Sequence, residues 1–142
     1  MVIDWYKYAQ TEGVPVVEFF SEVCYEGTDV TSIVVPKPSG LAVDDLIIVW
    51  AATDVNDVST AEFDATSDPT GWTFVQTAGT NVTDVHLGLF WKIADSGDVA
   101  ASNFTFTCAT AAEAWGAAIR ISGAHTTPIG VVGTAITNNN NP

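Results

Sequence analysis

Apolar residues recur at every second position through several short runs of this chain, and that period admits little besides β-structure. Val85, Leu87, Leu89, Trp91 and Ile93 fall on one side of a strand, with His86, Gly88, Phe90 and Lys92 on the other. Phe104, Phe106 and Cys108 repeat the pattern, as do Trp115, Ala117, Ile119 and Ile121. Between these runs stand Gly, Pro, Asp and Asn, the residues that turn a chain. The reading is an all-β fold: a single antiparallel β-sandwich of about eight short strands, jelly-roll-like, with an N-terminal arm. Its expected core holds Leu87, Leu89, Trp91, Phe104, Phe106, Trp115, Ile119 and Ile121.

Strands are expected at Val14–Phe20, Val30–Val35, Asp45–Ala52, Trp72–Thr77, Val85–Ile93, Phe104–Cys108, Ala114–Ile121 and Ile129–Ile136. Pro36 and Pro38 cannot donate to a ladder and close the second of these. Asp68-Pro69-Thr70-Gly71 reads as a β-turn with Pro at its second position and Gly at its fourth, and Asp95-Ser96-Gly97-Asp98 as another. Only Ala109–Ala114 hints at helix, and it is too short to stand alone. Three parts follow: an arm over residues 1–13, a sandwich domain over 14–137, and an Asn-rich linker or frayed end over 138–142.

Charge narrows the partners. Four Lys and Arg stand against seventeen Asp and Glu, for a formal charge of -13. Nucleic acids are bound largely through Lys and Arg, so neither DNA nor RNA is an expected partner. Anionic membranes would repel the same surface, and no run is long enough to span a bilayer. The opening MVIDWYKYAQ has neither a basic n-region nor an apolar h-region, so no secretory signal is read and maturation in the cytosol is expected. Cys24 and Cys108 then read as reduced, small buried hydrophobes, with a disulfide between their strand-like segments as the alternative. The Asn81-Val82-Thr83 and Asn103-Phe104-Thr105 sequons carry no meaning without export.

No catalytic constellation emerges, and no enzyme is expected. His86 and His125 read as surface imidazoles, since no Gly-x-Ser-x-Gly elbow or ordering group accompanies them. Asp44 and Asp45 read as the end of a turn, not a catalytic pair. The long link Thr53–Gly71 carries five carboxylates and no cation. Asp54, Asn56 and Asp57 are its candidate calcium ligands. They lack the EF-hand spacing, and a solvated acidic loop is the preferred reading, so no cofactor is expected. Trp91 and Trp115 run in phase with Leu and Ile and read as core, Trp72 as a pin for the link. The side of Trp50 is open, because Leu46–Ala51 is apolar on both faces. Trp5, Tyr6 and Tyr8, outside any strand, are the expected subunit-contact residues.

Taken in order, Pro36–Gly40 (PKPSG), Asp44–Ala52 (DDLIIVWAA), Pro69–Val75 (PTGWTFV), Leu87–Asp95 (LGLFWKIAD), Phe104–Thr107 (FTFT) and Ala117–Ala124 (AAIRISGA) resemble the sandwich domain of many tailed-bacteriophage virion proteins. The resemblance covers about Val30 to Pro128 and consists of turns and core positions. Asp44-Asp45 departs from the family's Gly-Asp, and the family domain commonly continues with further strands, so a shortened version or a sheet completed by a neighbour is expected. The resemblance implies a structural protein: a decoration or accessory subunit on the outer capsid or tail, assembled in the host cytoplasm. Its implied partners are the major capsid protein and other copies of itself. A carbohydrate-binding or adhesion module is the alternative, marked by exposed coplanar aromatics. A subunit of an extracellular filament is a third reading, which needs an export route.

Overall fold

The structure is a computed structural model and describes residues 14–54, 63, 69–78, 85–125 and 127–128. It is all-β, and every strand pairing is antiparallel. The strands are β1 (Val16–Cys24), β2 (Val30–Pro36), β3 (Leu46–Asp54), β4 (Thr73–Ala78), β5 (Val85–Ile93) and β6 (Asn103–Ser122). The expected strands at Phe104–Cys108 and Ala114–Ile121 are one, because β6 runs through both for 20 residues. Ile129–Ile136, the Met1–Gly13 arm and the Asn-rich end lie outside the described residues.

Order across the sheet is β1-β6-β3-β5-β4, with β2 paired to β6 off that path. The first half of β6 pairs with β2 (Val35↔Phe104, Ile33↔Phe106); its second half lies between β1 and β3. The switch of partners coincides with a bulge, where β6 gains residues against β2 between Thr107 and Ala112. Centrally placed, β3 pairs on both sides, and its sequence LIIVWAATD is apolar on both faces.

The β2–β6 ribbon packs on one face of the sheet, here the inner face. Ile33, Val35, Phe104 and Phe106 from the ribbon meet Ile47, Val49, Ala51 and Phe90 from the sheet, all buried. Phe106 lies 4.8 Å from Phe90 and 5.1 Å from Trp72 between ring centres, and Trp72 also packs edge-on to Phe104. Two glycines make room for this contact. A methyl group at Gly116 would stand 2.6 Å from the side chains of Ile33 and Val35, and one at Gly88 would stand 2.7 Å from the Phe63 ring.

That packing reverses one expectation. In β5 the buried positions are His86, Gly88 and Phe90, whereas Leu87, Leu89 and Trp91 are half-buried on the opposite, outer face. Trp115, Ile119 and Ile121 of β6 share the outer face and are likewise half-buried, while Phe104 and Phe106 are in the core as expected. Alternation fixes which residues share a face, but with apolar side chains on both it cannot say which face meets the ribbon. Phe63 and Phe106 fit over Gly88 and Phe90, and that contact decides it. His86 is consequently buried rather than a surface imidazole, and Trp50 faces outward with Leu89.

Two turns differ in detail from expectation. Trp72 N–H donates to the Pro69 carbonyl at 3.2 Å, so the hydrogen-bonded turn spans Pro69–Trp72, with Gly71 third at φ 90°. Asp95–Asp98 opens a short helix, α1 (Ser96–Ala100), instead of a β-turn. Asp95 Oδ1 accepts from the Gly97 and Asp98 amides at 2.7 and 3.0 Å, and Asp98 Oδ2 accepts from the Asp95 amide at 2.8 Å. Asp44 and Asp45 do finish a turn. Asp44 takes φ 72°, a conformation that favours Gly. Cys24 is exposed rather than buried, Cys108 is buried, and the two are not joined in a disulfide.

Candidate functional site

Pairing in register puts cross-strand partners on the same face, so the outer face can be read row by row. Val17, Ile121, Leu46 and Ile93 form one row; Phe20, Ile119, Ile48 and Trp91 the next. Glu22, Ala117, Trp50 and Leu89 follow, then Cys24, Trp115, Ala52 and Leu87. Fourteen of these sixteen positions are apolar, against Glu22 and Cys24. Phe20 is 49% exposed and Val17 64%, and three tryptophans lie half-buried among them. Within these rows Leu46 and Ala117 are buried, and exposure of large apolar side chains is concentrated at the β1 edge, at Val17 and Phe20.

At the Trp115 end the rows close on Glu113, Asp54 and Val85, again cross-strand neighbours. A cavity of about 250 Å³ opens here, with Ala52, Val85 and Trp115 as apolar walls and Glu26, Asp54 and Glu113 as its acidic members. Glu113 Oε1 accepts from the Gly27 amide at 3.0 Å, which ties the β1–β2 turn to this lip. Thr53 also lines the cavity; it is buried, and its hydroxyl has no hydrogen-bond partner among the described residues.

Cations are held at the opposite end of the strands. Arg120 Nε donates to Asp45 Oδ2 at 2.6 Å and its Nη1 lies 2.9 Å from Glu18. Asp45 Oδ2 also accepts from the Ala42 amide at 2.8 Å, so one buried carboxylate joins the 42–45 turn to β6. Lys92 Nζ lies 3.0 Å from Asp95 and 2.8 Å from Asp98. Burial pulls the Lys92 ammonium down, but its bonds to Asp98 and Asp95 outweigh that and hold its pKa above the usual value. The same bond from Lys92, helped by the Asp98 and Gly97 amides, brings the Asp95 carboxyl down to about 2. A lowered carboxyl stabilises the fold above the usual carboxylate range, and that contribution fades as the pH falls toward the folded-state value. The thermal midpoint of Asp95→Asn should therefore lie below wild type at neutral pH, and the gap should close between about pH 4 and pH 2. A gap that stays constant across that range would contradict the Lys92–Asp95 coupling.

Of the residues singled out in the sequence, Asp54 stands exposed at the end of β3, whereas Asn56 and Asp57 lie outside the described residues. Trp5, Tyr6 and Tyr8 lie outside them too. Among the described residues no three His, Cys, Asp or Glu side chains come together as a metal site. His125 is exposed and its Nδ1 accepts from the Thr127 amide at 3.0 Å; His86 is on the inner face, so the two imidazoles are not one site. Sequence reasoning missed the outward tryptophans Trp50, Trp91 and Trp115. Its one usable signal was the doubly apolar run Leu46–Ala51. Compared with family models, curated proteins and solved structures, the chain matches none.

Proposed function

We propose that this chain is a non-enzymatic structural subunit of a tailed-phage virion, a decoration or accessory protein of the outer capsid or tail surface. It assembles by burying the outer face of its sheet in protein neighbours, the major capsid protein and copies of itself. The observation that carries this reading is the apolar outer face, in register from Trp50, Leu89 and Trp91 to the exposed Val17 and Phe20 at the β1 edge. Two further features support it. The order of landmarks from Pro36 to Ala124 resembles that of phage virion domains, and a charge of -13 suits an outer surface away from packaged DNA. On this reading the β2–β6 ribbon is the second layer of a jelly-roll-like sandwich. No cofactor is needed, and the protein reaches the virion surface from the host cytoplasm.

The test is co-expression with the capsid and tail proteins of its own genome, followed by sedimentation of the particles. The chain should travel with one particle type at a fixed ratio. Remaining at the top of the gradient with every particle would overturn the assignment.

One observation favours a second reading. Trp50, Trp91 and Trp115 face outward, as the aromatics of a carbohydrate-binding module do. Sugar recognition also needs several placed polar groups, and the rows around these rings supply few. Saturable quenching of tryptophan fluorescence by an oligosaccharide would move the balance to that reading.

A further inference from the structure

One corner of the outer face stands open. Val85 is 58% exposed there, and Glu26, Asp54 and Glu113 are exposed around it. Among them lies the cavity of about 250 Å³, its walls mostly apolar and formed in part by Ala52, Val85 and the half-buried Trp115. Small-molecule pockets usually enclose about 300–1,000 Å³, so a space of this size suits a single side chain of a neighbour better than a free ligand.

The register decides which side chain. Asp54 and Glu113 are direct cross-strand partners on the outer face, and like charges set opposite one another destabilise a sheet. Glu113 is kept in place by the Gly27 amide, and Glu26 adds a third carboxylate from the β1–β2 turn. The cations among the described residues are all engaged elsewhere. Lys37 donates to the Val99 carbonyl, Lys92 is held by Asp95 and Asp98, and Arg120 by Asp45 and Glu18. An apolar cavity rimmed by unoffset carboxylates is complementary to a cation on an apolar stem. A second copy, itself at a formal charge of -13, is a poorer source of that cation than a different protein.

We propose that this cavity takes an arginine side chain of a partner protein, with its guanidinium over the Trp115 indole and between the Asp54 and Glu113 carboxylates. Arginine suits the site better than lysine. Its planar fork can serve two carboxylates at once while its face stacks on an indole, and its stem can pack against Ala52 and Val85. The inference rests on the outer face meeting protein neighbours and adds the side chain that such a neighbour brings to this corner.

The test is titration of the full chain with N-acetyl-arginine amide, followed by NMR of the indole and backbone amide signals. The Trp115 indole and the Gly27 amide should shift together and saturably, with Trp115→Phe identifying the indole signal. N-acetyl-citrulline amide, of the same shape but uncharged, should shift neither. Asp54→Asn with Glu113→Gln should weaken the affinity about tenfold or more, as expected for losing hydrogen bonds to charged groups. The thermal midpoint of that double variant should stay at or above wild type, because the new side-chain amide at 113 still accepts from Gly27 and the like-charge pair is gone. The absence of a saturable shift, equal shifts with the citrulline compound, or a double variant that binds as wild type does would overturn the proposal. None of these readouts involves particles. Co-sedimentation remains a separate measure of the virion assignment, so the failure of one can be told from the failure of the other.

Discussion

Phe106→Ala is expected to lower folding stability by about 3–5 kcal/mol, the range for deleting a fully buried aromatic ring. Phe106 has no solvent exposure and packs against Phe90 and Trp72, so it joins the ribbon to the sheet at the point where the inner faces meet. The neighbours cannot close the void easily. Phe90 is itself fixed beneath Phe63, and Ile33 is held against Gly116. Urea unfolding with an unchanged slope and a lowered midpoint is the expected result. Trp91→Ala should cost distinctly less, because its ring lies half-buried on the outer face. Equal losses for the two variants would mean that the faces of β5 have been assigned the wrong way round.

Arg120→Met should cost about 3 kcal/mol, because it strands a buried carboxylate. Asp45 is buried, and its Oδ2 is shared between the Arg120 guanidinium and the Ala42 amide. Removing the cation leaves one weaker donor to hold a desolvated charge. Glu18 loses its partner as well, but it is more exposed and can turn to water. The double variant Asp45→Leu with Arg120→Met should recover part of the loss, since it removes the stranded charge. A double variant no more stable than Arg120→Met alone would place the cost in lost packing of the arginine stem instead.

The fold class was legible because alternation in β5 and the first half of β6 is strong and the turns between the strands are punctuated by Gly and Pro. Pro36 does end β2, and Phe104 and Phe106 do face the core. What the residues could not convey was which side of the sheet the ribbon covers. Leu87, Leu89 and Trp91 are together more apolar than His86, Gly88 and Phe90, and an argument from hydrophobicity alone puts the wrong set inside. The choice belongs to shape: glycines at 88 and 116 admit Phe63 and the Ile33–Val35 pair, a long-range complementarity invisible to local pattern. The helix at Ser96–Ala100 was missed for a related reason. Asp-Ser-Gly-Asp suits a turn or a capping box equally, and the Lys92 ammonium that anchors both carboxylates stands outside the tetrapeptide. The docking face was half legible. Leu46–Ala51 read as apolar on both faces and left the side of Trp50 open, so the alignment of Trp50 with Leu89, and of Ile48 with Trp91, needed the register.

The most direct test of the outer face as an assembly surface is sedimentation velocity of the pair variant Leu89→Lys with Trp91→Lys, measured beside wild type and accompanied by thermal unfolding. Two charges in the middle of the apolar rows should leave the inner core intact, so the variant should unfold cooperatively within a few degrees of wild type. It should sediment as a monomer under conditions in which wild type associates, and should no longer travel with particles. A variant that associates as wild type does, or one that loses its fold as Phe106→Ala is expected to weaken it, would contradict the account.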